Sequence, residues 1–301
     1  MRASSWFATM GMGAVLTAAL GGSALAQQQR GGAAEPGSPD FDSPRPIEIR
    51  KSVWLEELTW MEVRDLMKQG TTTVIIPTGG VEQNGPYLAA GKHNYVLEAT
   101  CPAIAKKLGN ALCAPVVPFV PEGDIDPPSG PSGMMRYPST ISLTESVYEA
   151  MLTDIASSLK QHGFEHIFFI GDSGGNQKGM KTVAETLSAK WTGTKTSIHF
   201  VPEYYDYPGT YKWADQTFGW DEKIEGLHDD PTITTIMMTV DPNLVRIEER
   251  KAKNKASING IPLVPVDQAV AWGRKIVEHR ADVTVAAIEK LLSTPATMPQ
   301  Q

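Results

Sequence analysis

The stretch Gly79 to Thr100, "GGVEQNGPYLAAGKHNYVLEAT", gathers Glu82, Asn84, Tyr87, Lys92 and His93 into one glycine- and proline-rich turn directly behind the apolar run Val74-Ile75-Ile76. A carboxylate and an imidazole in one turn are ligands for a divalent metal, and an amide or hydroxyl beside them is a donor for a developing oxyanion. Two further segments carry groups of the same kind. "GDSGGNQ", Gly171 to Gln177, sets Asp172, Ser173 and Asn176 in a glycine turn, where small residues and unpaired helix N–H groups admit an anion or a carbonyl. "GLHDDPTITT", Gly226 to Thr235, offers His228, Asp229 and Asp230, ligand types that suit zinc, iron or manganese. Asp230-Pro231 also has the form of an N-cap and first helical residue, so Asp230 is expected to cap while His228 and Asp229 face the ligand.

Smaller signals fall into place around these three. Arg136, with Met134 and Met135 in the long loop from Pro118 to Thr140, is a candidate for holding a substrate carboxylate through its fork of donors. Gly171-Asp172-Ser173-Gly174-Gly175 spells the nucleophile signature of chymotrypsin-like serine proteases, but here it lies between a buried strand and a helix. The sequence has no Ala-Ala-His-Cys-like segment to supply the base, so the match is a coincidence of five residues. His162, His166, His199 and His279 sit in helix-end, strand or basic-helix contexts and read as structural or surface residues.

The elements that must position these groups alternate along the chain. "TTTVIIP", "ALCAPVVPFV", "HIFFIG" and "TSIHFVPEY" read as strands. Helical patterns run from Asn94 to Gly109, from about Leu143 to Gln161, from about Asn176 to Trp191 and from about Val266 to Leu292. Ser142 and Glu145 form an expected capping box, with Val147, Met151, Ile155 and Leu159 on one helix face beside Tyr148 and Leu152. Strands that are apolar throughout are buried on both faces, so the fold class is α/β, a three-layer α/β/α arrangement with a mainly parallel central sheet. Ligands in such sheets bind at the carboxyl ends of the strands, which places the turn after Ile76 and the turn after Ile170 on one active edge.

Composition bounds the rest. Arg2 followed by an apolar run to Leu20 and then Ala24-Leu25-Ala26 has the form of a secretory signal over residues 1–26. Residues 27–46, rich in Gly, Pro and Ser, read as a disordered linker. Residues 47–294 form one large domain, and 295–301 a flexible tail. The signal removes one Arg and no acid, so the formal net charge passes from −7 to −8. That balance speaks against nucleic acid or an anionic membrane as a partner, and the mature chain is expected to be periplasmic or secreted. Cys101 and Cys113 read as small buried apolar residues, although export permits a disulfide.

The three polar strings, in this order and behind these elements, resemble the creatininase (creatinine amidohydrolase) family. That family carries a Glu-x-His-Gly-x-His-Leu-Pro turn followed by Thr-Asp, then an Asn-Gly-His-Gly-Gly-Asn turn, then a His-Ala-Gly-Glu-like segment. Here the corresponding strings are "EQNGPYLAAGKHN", "GDSGGN" and "HDDPTITT". The resemblance implies homo-oligomers, a small-molecule substrate and a metal pair that activates water against a C–N bond. Glu82 matches the first metal-binding glutamate, while the two histidines of that turn fall on Asn84 and Tyr87 and the bridging aspartate falls on His93. Ser173 takes the place of the histidine in the glycine turn. His228 matches, with its acid displaced to Asp229 and Asp230. These substitutions leave ligands enough for one divalent metal (zinc, manganese or iron), held by Glu82, His93 and His228 with Asp172, Asp229 or Asp230.

The expected activity is hydrolysis of a C–N bond in a small amide or cyclic amide. Glu82, Asn84, Ser173 and His228 are the catalytic candidates, and Tyr87, Asn176 and Arg136 the substrate-binding ones. The alternatives are a non-catalytic protein that binds a small ligand on the same fold, and a metal-free isomerase or lactonase.

Overall fold

The computed structural model describes residues 40–127, 134–225 and 228–293. The expected signal, residues 27–39 of the linker and the expected tail lie outside the described residues. The chain divides into two units after Pro46. In the first, the Ser43 N–H closes a turn by donating to the Asp40 carbonyl at 2.9 Å.

The second unit opens with helix α1, Trp60–Lys68, whose Thr59 and Glu62 satisfy each other's backbone N–H groups in a capping box. Strand β1, Thr73–Thr78, follows and is buried at every position. Helix α2, Lys92–Leu108, carries Lys92 and His93 in its first turn. It ends on Gly109, whose φ of 77° is the left-handed C-cap that glycine supplies without a steric penalty. Strand β2 is only Ala111–Cys113, and the prolines after it carry the chain along the sheet edge in isolated bridges such as Thr78↔Val117 and Val120↔Ser142.

Helix α3, Glu145–His162, leads to strand β3, His166–Gly171, then helix α4, Gln177–Lys190, and strand β4, Ser197–Phe200. Helices α5, Tyr207–Phe218, α6, Pro231–Val240, and α7, Ile247–Ala252, precede a small antiparallel pair, β5, Ser257–Ile258, with β6, Ile261–Pro262. The long helix α8, Val266–Ser293, closes the described fold.

The main sheet runs β2-β1-β3-β4, parallel throughout. Its two faces divide by the period of two that a strand imposes. Val74, Ile76, Ile167 and Phe169 pack with Tyr148, Leu152 and Met180 from α3 and α4. Ile75, Phe168 and Ile170 pack with Leu97, Cys101 and Ile104 of α2 and Ile288 of α8. Outside that layer α6 buries Ile236 and Met237 against Val96 and Ile276. The fold is the three-layer α/β/α arrangement expected from the alternation.

Two local expectations are corrected. The buried face of α3 is Tyr148, Leu152, Ala156 and Leu159, while Val147 is 53% exposed, so the helix is turned away from the face that begins at Val147. Ser142 does not join a capping box. The N-cap is Thr144, without a side-chain capping bond, and Ser142 Oγ instead accepts the Glu122 N–H at 2.9 Å.

Cys101 and Cys113 are fully buried, as their apolar surroundings imply, and they are also bonded to each other across a separation of 12 residues. The bond ties α2 to β2. Closing a loop of that length stabilises by about 3 kcal/mol. The double variant Cys101→Ala/Cys113→Ala is therefore expected to melt about 6–12 °C lower, read by circular dichroism. Among the described residues no helix is long and apolar enough to cross a membrane.

Candidate active site

Strands β1 and β3 are paired from Thr73↔His166 to Thr78↔Gly171, so both deliver their following turns to one edge. The chain leaves β1 toward β2 on one side and returns to β3 on the other. A crevice opens at such a reversal of strand order. It is a cavity of about 860 Å³, with Glu82, Lys92, His93, Glu122, Ser173 and His228 among its lining residues.

His93 is the hub. Its Nε2 lies 2.7 Å from Glu82 Oε1, and its Nδ1 lies 2.9 Å from Asp172 Oδ2. Burial and the charge of Lys92 push its pKa down, but hydrogen bonds to Asp172 and Glu82 outweigh them and the net shift is upward. Without a metal, each ring nitrogen of His93 thus faces a carboxylate oxygen, an arrangement that favours the protonated ring. Asp172 is itself fully buried and held by Arg280 Nη2 at 3.0 Å, Tyr207 OH at 2.7 Å and Tyr204 OH at 3.3 Å. Burial alone would raise its pKa, and Arg280 and His93 lower it overall.

Glu122 completes the cluster. A ligand atom from each of Glu82, His93 and Glu122 falls within 4.8 Å of the others. Glu122 Oε2 accepts a hydrogen bond from Ser173 Oγ at 3.0 Å, whereas its Oε1 is buried with no hydrogen-bond partner. Two glycines make the room. A side chain on Gly80, at φ 154°, would overlap the Glu122 carboxylate, and one on Gly175 would overlap the Pro121 carbonyl.

The two carboxylates are tuned apart. Burial raises Glu82, but the hydrogen bond from His93 and the charges of Lys92, His93 and His228 bring it down to about 2. For Glu122, burial and the negative charge of Glu82 push the carboxyl up to about 7. Glu122 therefore keeps its proton in the folded protein well above the pH at which the unfolded chain loses it. Below about pH 4.5 both states are protonated; as pH rises to about 7 the folded state loses relative stability. The cost reaches about 3 kcal/mol at 1.36 kcal/mol per pH unit. Glu122→Gln is accordingly expected to stabilise the metal-free protein at pH 8 and not at pH 4, measured by urea denaturation in the presence of a chelator.

The other anticipated residues divide. Ser173 lines the cavity. His228 lines the cavity with its Nδ1 3.0 Å from the Gln83 carbonyl and 3.8 Å from Glu82 Oε1. A carbonyl only accepts, so Nδ1 carries the proton and Nε2 is left free. Asp230 is the N-cap of α6, accepting from Ile233 N–H at 2.8 Å and from Tyr211 OH at 3.3 Å. Asp229 is paired with Arg250 at 3.0 Å. Asp172, Asp229 and Asp230 thus line the cavity without joining the Glu82–His93–Glu122 cluster, and each already accepts from a protein donor.

Asn84, Asn176, Tyr87 and Arg136 are not brought to the cavity. Asn84 Nδ2 donates to the Glu82, Ala89 and Ala90 carbonyls and braces its own turn. Asn176 Nδ2 ties the glycine turn to the carbonyls of Thr78 and Gly79. Tyr87 lies under the Arg250 guanidinium, 4.8 Å from carbon to ring centre. Arg136 is exposed and donates to Tyr137 OH at 2.6 Å.

Glu122 was not anticipated, yet its surroundings carry a signal. "VPEG" follows an apolar strand run, as "PTGGVE" does after β1, and puts a carboxylate on the same edge. Arg280 had no such signal, since a charged residue in a long helix pattern reads as solvated.

Fold and site together define an α/β/α protein with a carboxylate–histidine centre at the topological switch point of a parallel sheet. The sequence pattern of creatininase, creatinine amidohydrolase, matches residues 56–287. The chain belongs to the creatininase family. It is 23% identical over 231 residues to the creatinine amidohydrolase of Pseudomonas putida, covering 73% of this chain and 84% of that one. Among solved structures, a manganese creatininase superposes with a TM-score of 0.53 at 23% identity, over 80% of this chain and 98% of that one. A Zn–Zn form of a creatininase mutant gives 0.53 at 22%, over 81% and 98%.

Proposed function

We propose that this chain is an exported hydrolase of a C–N bond in a small amide or cyclic amide, assisted by one divalent cation held by Glu82, His93 and Glu122. The observation that carries the reading is the convergence of those three ligand atoms at the floor of a cavity of small-molecule size.

The residues present fit a single cation. Glu122 Oε1 is a buried acceptor in want of a partner, and Ser173 holds the other oxygen. His93 is backed by Asp172 through Nδ1, the arrangement that orients a ligating imidazole and raises its basicity. They do not fit a metal pair, because Asn84 and Ser173 stand where the resemblance puts histidines and Asp172, Asp229 and Asp230 are held by protein donors. A bound divalent cation supplies Lewis acidity, polarising a carbonyl and making a water acidic at neutral pH.

The protein's own groups do the remaining work. His228, fixed through Nδ1–H to the Gln83 carbonyl, presents Nε2 to take a proton from water and return it to the leaving nitrogen. Asp172 and Arg280 hold His93 still. Tyr205 and Tyr211 line the cavity and offer ring surface against which the reacting amide packs. The disulfide supports export, since such bonds persist in oxidising compartments. The family supports assembly into a homo-oligomer, which light scattering of the mature chain would establish.

The test is a panel of creatinine, lactams, hydantoins and linear amides incubated with the Mn²⁺- or Zn²⁺-loaded mature protein, read by mass spectrometry for addition of one water. Turnover of at least one compound is expected. His228→Ala should retain the metal and lose about 10²- to 10⁴-fold in rate. Absence of turnover across the panel by the loaded protein would sink the reading.

A further inference from the structure

Lys92 is out of place by the ordinary rules. It stands at the first position of α2, where the helix dipole disfavours a cation and where no acidic residue of the first turn offsets it. Its side chain is only 4% exposed, yet it lines the cavity, and among the described residues its one ion-pair partner is Glu82 Oε1, at 3.4 Å. Among the described residues no hydrogen bond holds the ammonium. A buried, desolvated cation kept in such a position is a functional feature rather than a stabilising one.

The charges around it point to what it does. Asp172 is paired with Arg280, Asp229 with Arg250, and Asp230 caps α6. Among the described residues Glu82 and Glu122 are the cavity carboxylates whose ligand atoms converge with that of His93, and two carboxylates match one divalent cation. Lys92 already sits against one of them.

We propose that Lys92 is a resident cation of the site, holding the positive position beside Glu82 and restricting the protein to one divalent ion in place of a pair. The inference rests on the metal-assisted reading above. Its effect is electrostatic: a fixed ammonium lowers the affinity for the first ion and excludes a second.

The experiment is a Mn²⁺ titration of the metal-free mature protein, followed by electron paramagnetic resonance of free Mn²⁺, for wild type, Lys92→Met, Lys92→Gln and Lys92→Arg. Thermal melts establish that each is folded, and Lys92→Gln substitutes for Lys92→Met if the latter is not. Wild type and Lys92→Arg are expected to bind one equivalent with similar affinity. The neutral variants are expected to bind Mn²⁺ about 10²- to 10³-fold more tightly, the scale of removing one like charge at about 4 Å from a partly screened wall. Affinities within about threefold of wild type in the neutral variants, or two equivalents in wild type, would overturn the role of Lys92. If wild type binds no Mn²⁺ the metal-assisted reading fails; the Lys92 role then survives only if a neutral variant gains binding, and falls if none does.

Discussion

Replacing Arg280 with methionine is expected to lower the melting temperature by about 6–20 °C, the largest stability effect of any single substitution near the site. Arg280 is 3% exposed and reaches from α8 to donate to Asp172 Oδ1, Tyr207 OH and the Tyr204 carbonyl. Its guanidinium also lies 4.3 Å and 4.6 Å from the ring centres of Tyr204 and Tyr207. Removing it leaves the Asp172 carboxylate buried with His93 as its one remaining ion-pair partner among the described residues. Breaking a buried pair from one side costs about 3–5 kcal/mol, and each kcal/mol moves the midpoint by about 2–4 °C in a domain of this size. The double variant Arg280→Met/Asp172→Asn should be less destabilised than the sum of the singles, because the second change removes the stranded charge. Additive losses in calorimetry would show that the two side chains do not act as a pair.

Binding of a divalent cation should be strongly linked to protons. In the metal-free protein Glu122 holds a proton up to about 7, and His93 is kept protonated above its ordinary range by Asp172 and Glu82. A cation replaces both protons, so about two are released per ion near pH 6, and affinity rises by as much as about 100-fold per pH unit there. The sign is fixed: acidification weakens binding, and the dependence flattens once both groups have titrated. Calorimetry in buffers of different ionisation enthalpy counts the protons directly. In Glu122→Gln the count should drop by about one.

Much of the fold was legible because each layer writes its period into the chain. Val74 to Ile76 and Ile167 to Ile170 are apolar without alternation, which only strands covered on both faces require, and their polar sequels then had to share an edge. The site was legible where a residue's role is local. Glu82 and His93 come from one turn, and Asp230-Pro231 announces a cap. It was not legible where the role depends on a distant partner. Asp172 is held by Arg280, 108 residues on, a partner that nothing local announces. Asn84 turned inward because its amide donates to carbonyls of its own turn. Val147 faced outward and Ser142 served Glu122, since both depend on how the loop before α3 lies along the sheet edge. Cys101 and Cys113 looked alike as apolar residues, and only the packing of α2 on β2 made them a pair.

The central claim is that Glu82, His93 and Glu122 hold one divalent cation, and elemental analysis tests it most directly. Mature protein is loaded with Mn²⁺ or Zn²⁺, dialysed and analysed beside Glu82→Ala, His93→Ala and Glu122→Ala, each shown to be folded. One equivalent in the wild type, lost in all three variants, is the predicted result. A wild type that retains no metal, or variants that retain as much as it does, would contradict the account.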